Sequence, residues 1–183
     1  MIVSVRKRRS PSQANRALAP RRRSVQLEAR QSQTAILLPG EEQWEVTFPD
    51  GLLGLPNCQH FVLAPYKPAD GSVSPFFLLR CQDDSIVSLP VLDPRLLLSD
   101  YRLPLAADVL AYLEANTDGE LSTLAIVTLR DQLEDITMNL RGPLVMNLNS
   151  QLGLQLVVEQ FPVRYPLFVH TDEDKPADGA QSE

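Results

Sequence analysis

The stretch Met138–Leu148, MNLRGPLVMNL, decides how the chain is read. Leu144, Val145, Met146 and Leu148 make an apolar run of strand length. Asn139, Arg141 and Asn147 put polar groups at its start and end, where backbone donors and acceptors are left over at a sheet rim. Pro143 has no N–H to give to a ladder, which places it at the first position of the strand, and Gly142 before it permits a sharp turn. The reading is a buried strand entered from a rigid corner. Asn, Gly and Pro are also what any tight turn uses, so the corner alone does not separate a turn from a binding edge.

Working outward, the pattern is β on both sides. Trp44, Val46 and Phe48 alternate with Glu45 and Thr47 before the turn residues Pro49, Asp50 and Gly51. Short apolar runs follow at Phe61–Leu63, Phe76–Leu79, Ile86–Leu92 and Leu124–Leu129, separated by Pro, Gly, Asp and Asn. Leu152, Leu154, Leu156 and Val158 keep two-residue spacing after a hairpin turn at Asn149, Ser150 and Gln151, and the leucines are read as inward-facing. Between Pro104 and Pro143 there is no proline, and Leu105, Val109, Tyr112 and Leu113 lie near one helical face. One helix over Leu105–Ala115 is expected, with Pro104 in its first turn, Asn116–Gly119 at its stop, and an open end of the sheet beneath it. The fold class is therefore mainly β, an antiparallel closed or partly open barrel with one short α-helix and disordered termini.

Hydrophobic content of 44% in 183 residues suffices for one core, and 6% aromatic makes that core aliphatic. No apolar run approaches the roughly 18 to 20 residues of a membrane helix. The net charge of −6 is divided unevenly. Residues 1–30 carry nine basic side chains and one acid, Glu28, for +8; the remaining eight basic and 22 acidic residues give −14. The acidic body repels nucleic acid and attracts basic protein surfaces, although the same acids also serve plain solubility. Two cysteines, Cys58 and Cys81, are too few for a disulfide framework, which fits a reducing, cytoplasmic setting.

Three segments are expected: a basic arm over 1–32, a β domain over 33–170 and an acidic tail over 171–183. The arm lacks apolar periodicity and reads as disordered. Its composition suits a tail of no assigned role, a nucleic-acid-binding arm, an organelle transit peptide, or an upstream stretch that is not translated.

Signals for chemistry are few. There is no P-loop, no G-x-S-x-G and no C-x-x-C; Gly51-x-x-Gly54 is a turn fragment, and His60 and His170 are the only histidines. Cys58 and His60, two apart on a strand, would share a face, but zinc needs more ligands than these supply. Asp83 and Asp84 are adjacent acids between apolar runs, the pattern of a solvated turn rather than a catalytic pair. No enzyme activity, cofactor or metal is expected.

Several segments in order carry a resemblance: FPDGLLGLP at Phe48–Pro56, FVL at Phe61–Leu63, PFFLLRCQDD at Pro75–Asp84, LPVLDPRLLLSDY at Leu89–Tyr101, AIVTL at Ala125–Leu129, the opening stretch, and FPVRYPL at Phe161–Leu167. Together they resemble the flagellar assembly factor FliW family over roughly Thr34–Phe168. Leu55, Leu97, Leu98 and Tyr165 depart from the family's usual residues but keep apolar character, and the basic arm lies outside the pattern. The resemblance implies a non-catalytic, monomeric cytoplasmic protein. It would bind flagellin and, when flagellin is exported, bind the RNA-binding translational repressor CsrA and relieve repression of flagellin. An RNA-binding or small-ligand-binding barrel is the alternative. The docking surface is expected at Asp83, Asp84, Asp93 and Asp100, gathered on one rim, together with Met138 as an apolar anchor and Asn139, Arg141 and Pro143 of the corner.

Overall fold

The computed structural model describes residues 43–168, so the expectations for the arm 1–32, the tail 171–183 and the outer boundaries of the β domain lie outside the described residues. In chain order the strands are β1 Trp44–Thr47, β2 His60–Pro65, β3 Phe77–Cys81, β4 Ser88–Leu92, β5 Ser122–Thr128, β6 Thr137–Met138, β7 Leu144–Asn147, β8 Leu152–Gln155 and β9 Tyr165–Pro166, with α1 at Ala107–Tyr112. Seven of them close a ring in the order β4-β3-β2-β1-β8-β7-β5, because β5 also pairs with β4; β6 and β9 continue from β5 as a flap. The barrel is closed. All its pairings are antiparallel except β1 with β8, which is parallel and has Thr47 opposite Leu152.

Strand alternation divides the apolar residues between a lumen and two outer faces. The lumen is filled by Val46, Phe48, Phe61, Leu63, Leu79, Val91, Leu124, Leu144 and Met146. The outer face of β4 and β5, with Leu92, Ala125 and Val127, lies under Tyr101, Ile136, Met138, Leu140 and Leu167. The outer face of β7 and β8, with Val145 and Leu154, continues into Leu156 and Val158 and lies under Val109 and Leu113 of the α1 segment. β7 is buried on both faces, which is why its sequence is continuously apolar rather than alternating.

Several expectations are corrected by this layering. Leu154 and Leu156 face α1, not the lumen, and Leu152 is only partly buried against that same outer cluster. Gly153 faces the lumen instead, because the Phe48 ring occupies the space a side chain would need: a Cβ there would lie 2.5 Å from Phe48 Cζ. The helix spans Ala107–Tyr112, shorter than Leu105–Ala115, since Ala106 is already extended and Glu114 turns the chain with a φ of 54°. It covers the side of the barrel rather than an end. Ile86 lies in the turn before β4 and is 90% exposed. Pro143 sits immediately before β7, one residue short of the first strand position expected for it, and Gly142 needs room more than conformational freedom, since its Cβ would meet Asn139 Nδ2 and Gln155 Nε2 at 3.0 Å. Met138, the expected surface anchor, is 0% exposed: it pairs with Val127 and packs in the outer cluster.

Two substitutions test this packing. Gly153→Ala drives a methyl into Phe48 and is expected to cost about 1–3 kcal/mol in urea unfolding, with Phe48→Leu recovering part of the loss in the double variant. Met138→Ala is expected to cost about 2–5 kcal/mol, as for any fully buried methionine; a loss under 0.5 kcal/mol would mean that Met138 is not in the core.

Candidate protein-binding end of the barrel

Neighbouring strands run in opposite directions around most of the ring, so the connections β1–β2 (48–59), β3–β4 (82–87) and β5–β6 (129–136) leave the same end. The corner 139–143 joins them there. Gln155, which is buried, accepts from Leu53 N–H through Oε1 at 2.7 Å and donates through Nε2 to Gly142 O at 3.1 Å, tying the β1–β2 loop to the corner. Within the corner, Asn139 Oδ1 accepts from Arg141 N–H and Gly142 N–H at 3.1 and 3.0 Å, the local closure that suits asparagine in a turn. Arg141 is exposed, yet its guanidinium donates to the carbonyls of Phe161 and Glu159 at 3.0 and 3.3 Å, which holds the side chain along the segment after β8.

The β3–β4 turn is locked to β2 by Asp83. Its Oδ2 accepts from the backbone N–H of Gln59 and His60 at 2.7 and 2.8 Å, and its Oδ1 pairs with His60 Nδ1 at 2.9 Å. These hydrogen bonds, the backbone one from His60 foremost, lower the Asp83 carboxyl from 3.8 to about 2. An ionised carboxylate only accepts, so Nδ1 is the protonated ring nitrogen of His60. The turn is solvated as expected, and Asp83 also acts as a structural clamp. Asp84 is exposed beside it and accepts from Ile86 N–H at 3.0 Å.

The expected set of four acids is not one cluster. Asp93 follows β4 at the opposite end from Asp84, five strand residues or about 17 Å away. It is 4% exposed and neutralised, accepting from Arg95 N–H at 2.8 Å and from the guanidinium of Arg95 at 2.7 to 3.1 Å, because the Asp-Pro-Arg sequence folds into a capped 3-10 turn. Asp100 is exposed on the segment that covers the outer face, next to Tyr101, whose buried hydroxyl donates to Leu140 O at 2.8 Å. Pro143 is buried and shapes the corner from within. Of the eight expected residues, Asp83, Asp84, Asp100, Asn139 and Arg141 reach the surface; Asp93, Met138 and Pro143 do not. Sequence reasoning missed the apolar side chains that this end exposes: Leu53, Ile86, Leu129 and Leu133.

Cys58 and His60 do not share a face. Cys58 precedes β2 and is buried, while His60 is exposed against Asp83. Contact with Cys81, reinforced by burial, pushes the Cys58 thiol up to about 11. Among the described residues no group of three or more His, Cys, Asp or Glu could hold a metal ion, and no helix is long and apolar enough to cross a membrane.

The Asp83 clamp has a pH signature. Its folded value lies below the ordinary one, so the folded chain binds fewer protons than the unfolded chain below pH 4; the stabilisation is complete above 3.8 and is lost as pH falls through about 2. Asp83→Asn is therefore expected to lower the melting temperature at pH 6 and to flatten its fall between pH 4 and 2. Parallel acid melting curves for the two proteins would rule the clamp out.

Comparison with known proteins identifies the lineage. The family model described as FliW protein matches residues 30–167. The flagellar assembly factor FliW of Clostridium kluyveri is 31% identical over 134 residues, covering 72% of this chain and 90% of that one. That of Geobacter sulfurreducens is 31% identical over 130 residues, covering 70% and 79%. A crystal structure of the flagellar assembly factor FliW has the same fold, with a TM-score of 0.61 at 23% identity over 69% of this chain and 86% of that one. A family match over most of its length, with curated relatives at this identity, means that the chain belongs to the FliW family of flagellar assembly factors.

Proposed function

We propose that this chain is a non-catalytic cytoplasmic binding protein that takes flagellin and CsrA as partners, and that by binding CsrA it relieves repression of flagellin translation. The observation that carries the proposal is the barrel end just described, where the acids of a clamped turn stand beside exposed apolar side chains. Residues 43–168 hold fifteen acidic side chains against seven basic ones, so a basic RNA-binding protein is attracted to this body and its RNA is repelled. The lumen is packed with Phe48, Phe61, Leu124, Leu144 and Met146, which argues against a small ligand held inside the barrel. Docking is assigned to Asp83 and Asp84, flanked by Asn139 and Arg141, with Ile86 in place of the buried Met138 as the apolar anchor.

Charge and anchor are expected to act on different rate constants. Asp84→Lys keeps the Asp83 clamp and should slow association with CsrA about 3–10-fold at low salt, the difference shrinking as salt rises. Ile86→Ala should speed dissociation about tenfold, a loss of roughly 1.4 kcal/mol, with little change in salt dependence. Surface plasmon resonance at two salt concentrations measures both, with flagellin tested on a second channel. If the unmutated protein binds neither partner the function is wrong; if it binds and both variants behave like it, only the assigned surface is wrong.

A further inference from the structure

The charge of this chain is divided between a body that is acidic and an N-terminal arm that is basic. Residues 1–30 hold Arg6, Lys7, Arg8, Arg9, Arg16, Arg21, Arg22, Arg23 and Arg30, with apolar side chains among and beside them at Ile2, Val3, Val5, Val25 and Leu27. A counterpart of matching composition stands at the barrel end. The β3–β4 and β5–β6 loops carry Asp83, Asp84, Asp131, Glu134 and Asp135 against one base, Arg130, and they expose Ile86, Leu129 and Leu133 at 90%, 58% and 61%. The two loops are neighbours because β4 pairs with β5, Val91 opposite Ile126, and both strands run from that pair to the same end.

We infer that the basic arm, residues 1–30, docks on this acidic and apolar end of its own barrel and covers the loops 82–87 and 129–136. Length permits it. The described chain begins at Gln43, at the opposite end of β1, and four strand residues span about 13 Å, whereas residues 31–43 can reach about 43 Å when extended. Tethering makes the contact intramolecular, with an effective concentration near the millimolar range, so a set of individually weak ion pairs can hold the arm in place. The acids around α1, namely Asp108, Glu114, Asp118 and Glu120, are the competing target. That surface has no large exposed apolar side chain among the described residues, so it offers the arginines charge but gives the arm's Ile, Val and Leu nothing to cover. The docked arm would occupy the surface assigned above to a basic partner and would have to be displaced by it. That regulatory consequence rests on the proposed function; the docking does not, and its test contains no CsrA.

A nitroxide on Ser24→Cys in the full chain reads the contact, since Cys58 and Cys81 are buried and the label goes to the introduced thiol. At low salt the amide signals of 82–87 and 129–136 are expected to lose about half their intensity or more relative to the loop 66–76. They should recover at about 1 M salt, where the screening length falls to roughly 3 Å. Asp131→Asn with Asp135→Asn should also restore them, the amide spectrum itself confirming that this variant is folded, and a label on Ser10→Cys should give the same pattern. Broadening centred on 106–120, broadening spread evenly over the barrel, or broadening that neither salt nor the paired variant reduces would overturn the inference.

Discussion

The barrel closes where β1 lies alongside β8, and that seam has one register pair, Thr47 opposite Leu152, with Thr47 N–H donating to Gln151 O at 2.8 Å. Elsewhere around the ring the pairings run to two to five registered residues, so the seam cannot be held by its backbone alone. Side chains complete it. Phe48 passes the end of β1 and seats its ring where Gly153 leaves space, edge-on to Phe61 at 5.5 Å, and Gln155 then satisfies Leu53 N–H and Gly142 O together. A neutral hydrogen bond adds about 1 kcal/mol net, but each buried group left unpaired costs about 1–3 kcal/mol, so Gln155 matters mainly through what its absence would expose.

Closing the ring turns the outer faces of the strands into surfaces that also need cover. The segment 93–103 with the flap covers one, and α1 covers the other, each pinned by a polar group that reaches backbone. Tyr101 donates to Leu140 O, and Asn147 Nδ2 donates to Leu113 O and Glu114 O at the end of the helix. Burial without a charge partner pushes the Tyr101 phenol up, which keeps it a neutral donor. The barrel end with loops 48–59, 82–87 and 129–136 needs no such lid, because Phe48, Leu52 and Cys58 fill the lumen from that side. Its loops are thereby free to present charged and apolar side chains on a fixed base.

Strands of four or more residues were legible because alternation or a continuous apolar run marks them, and their turns were marked by Gly51, Gly54 and the Asn149–Gln151 hairpin. β6 and β9, two residues each, have no period to read. In sequence Met138 therefore reads as part of the polar corner beside it, whereas its pairing with Val127 puts it in a core. The even spacing of Leu152, Leu154 and Leu156 marks a strand but not which of its faces is the lumen. In a barrel with a covered outer face both sides are buried, and the lumen positions Gly153 and Gln155 look in sequence like solvent positions. Asp93 misled for a local reason: acid before Pro-Arg looks exposed until the arginine folds back over it. The acids of the β3–β4 turn were legible as a turn, while the role of Asp83 as a clamp on Gln59 and His60 depends on residues more than twenty positions away.

Among the described residues the sheet ends at β9, and a sheet that ends invites another strand to join it. Here the invitation is weak. β9 is two residues long, and the second, Pro166, has no N–H to offer to an incoming backbone. A neighbouring copy arriving at the outer edge of β9 finds too short a ladder to extend, while the other seven strands spend their backbone groups on a ring. The chain is thus protected from growing edge to edge into fibrils along this flap.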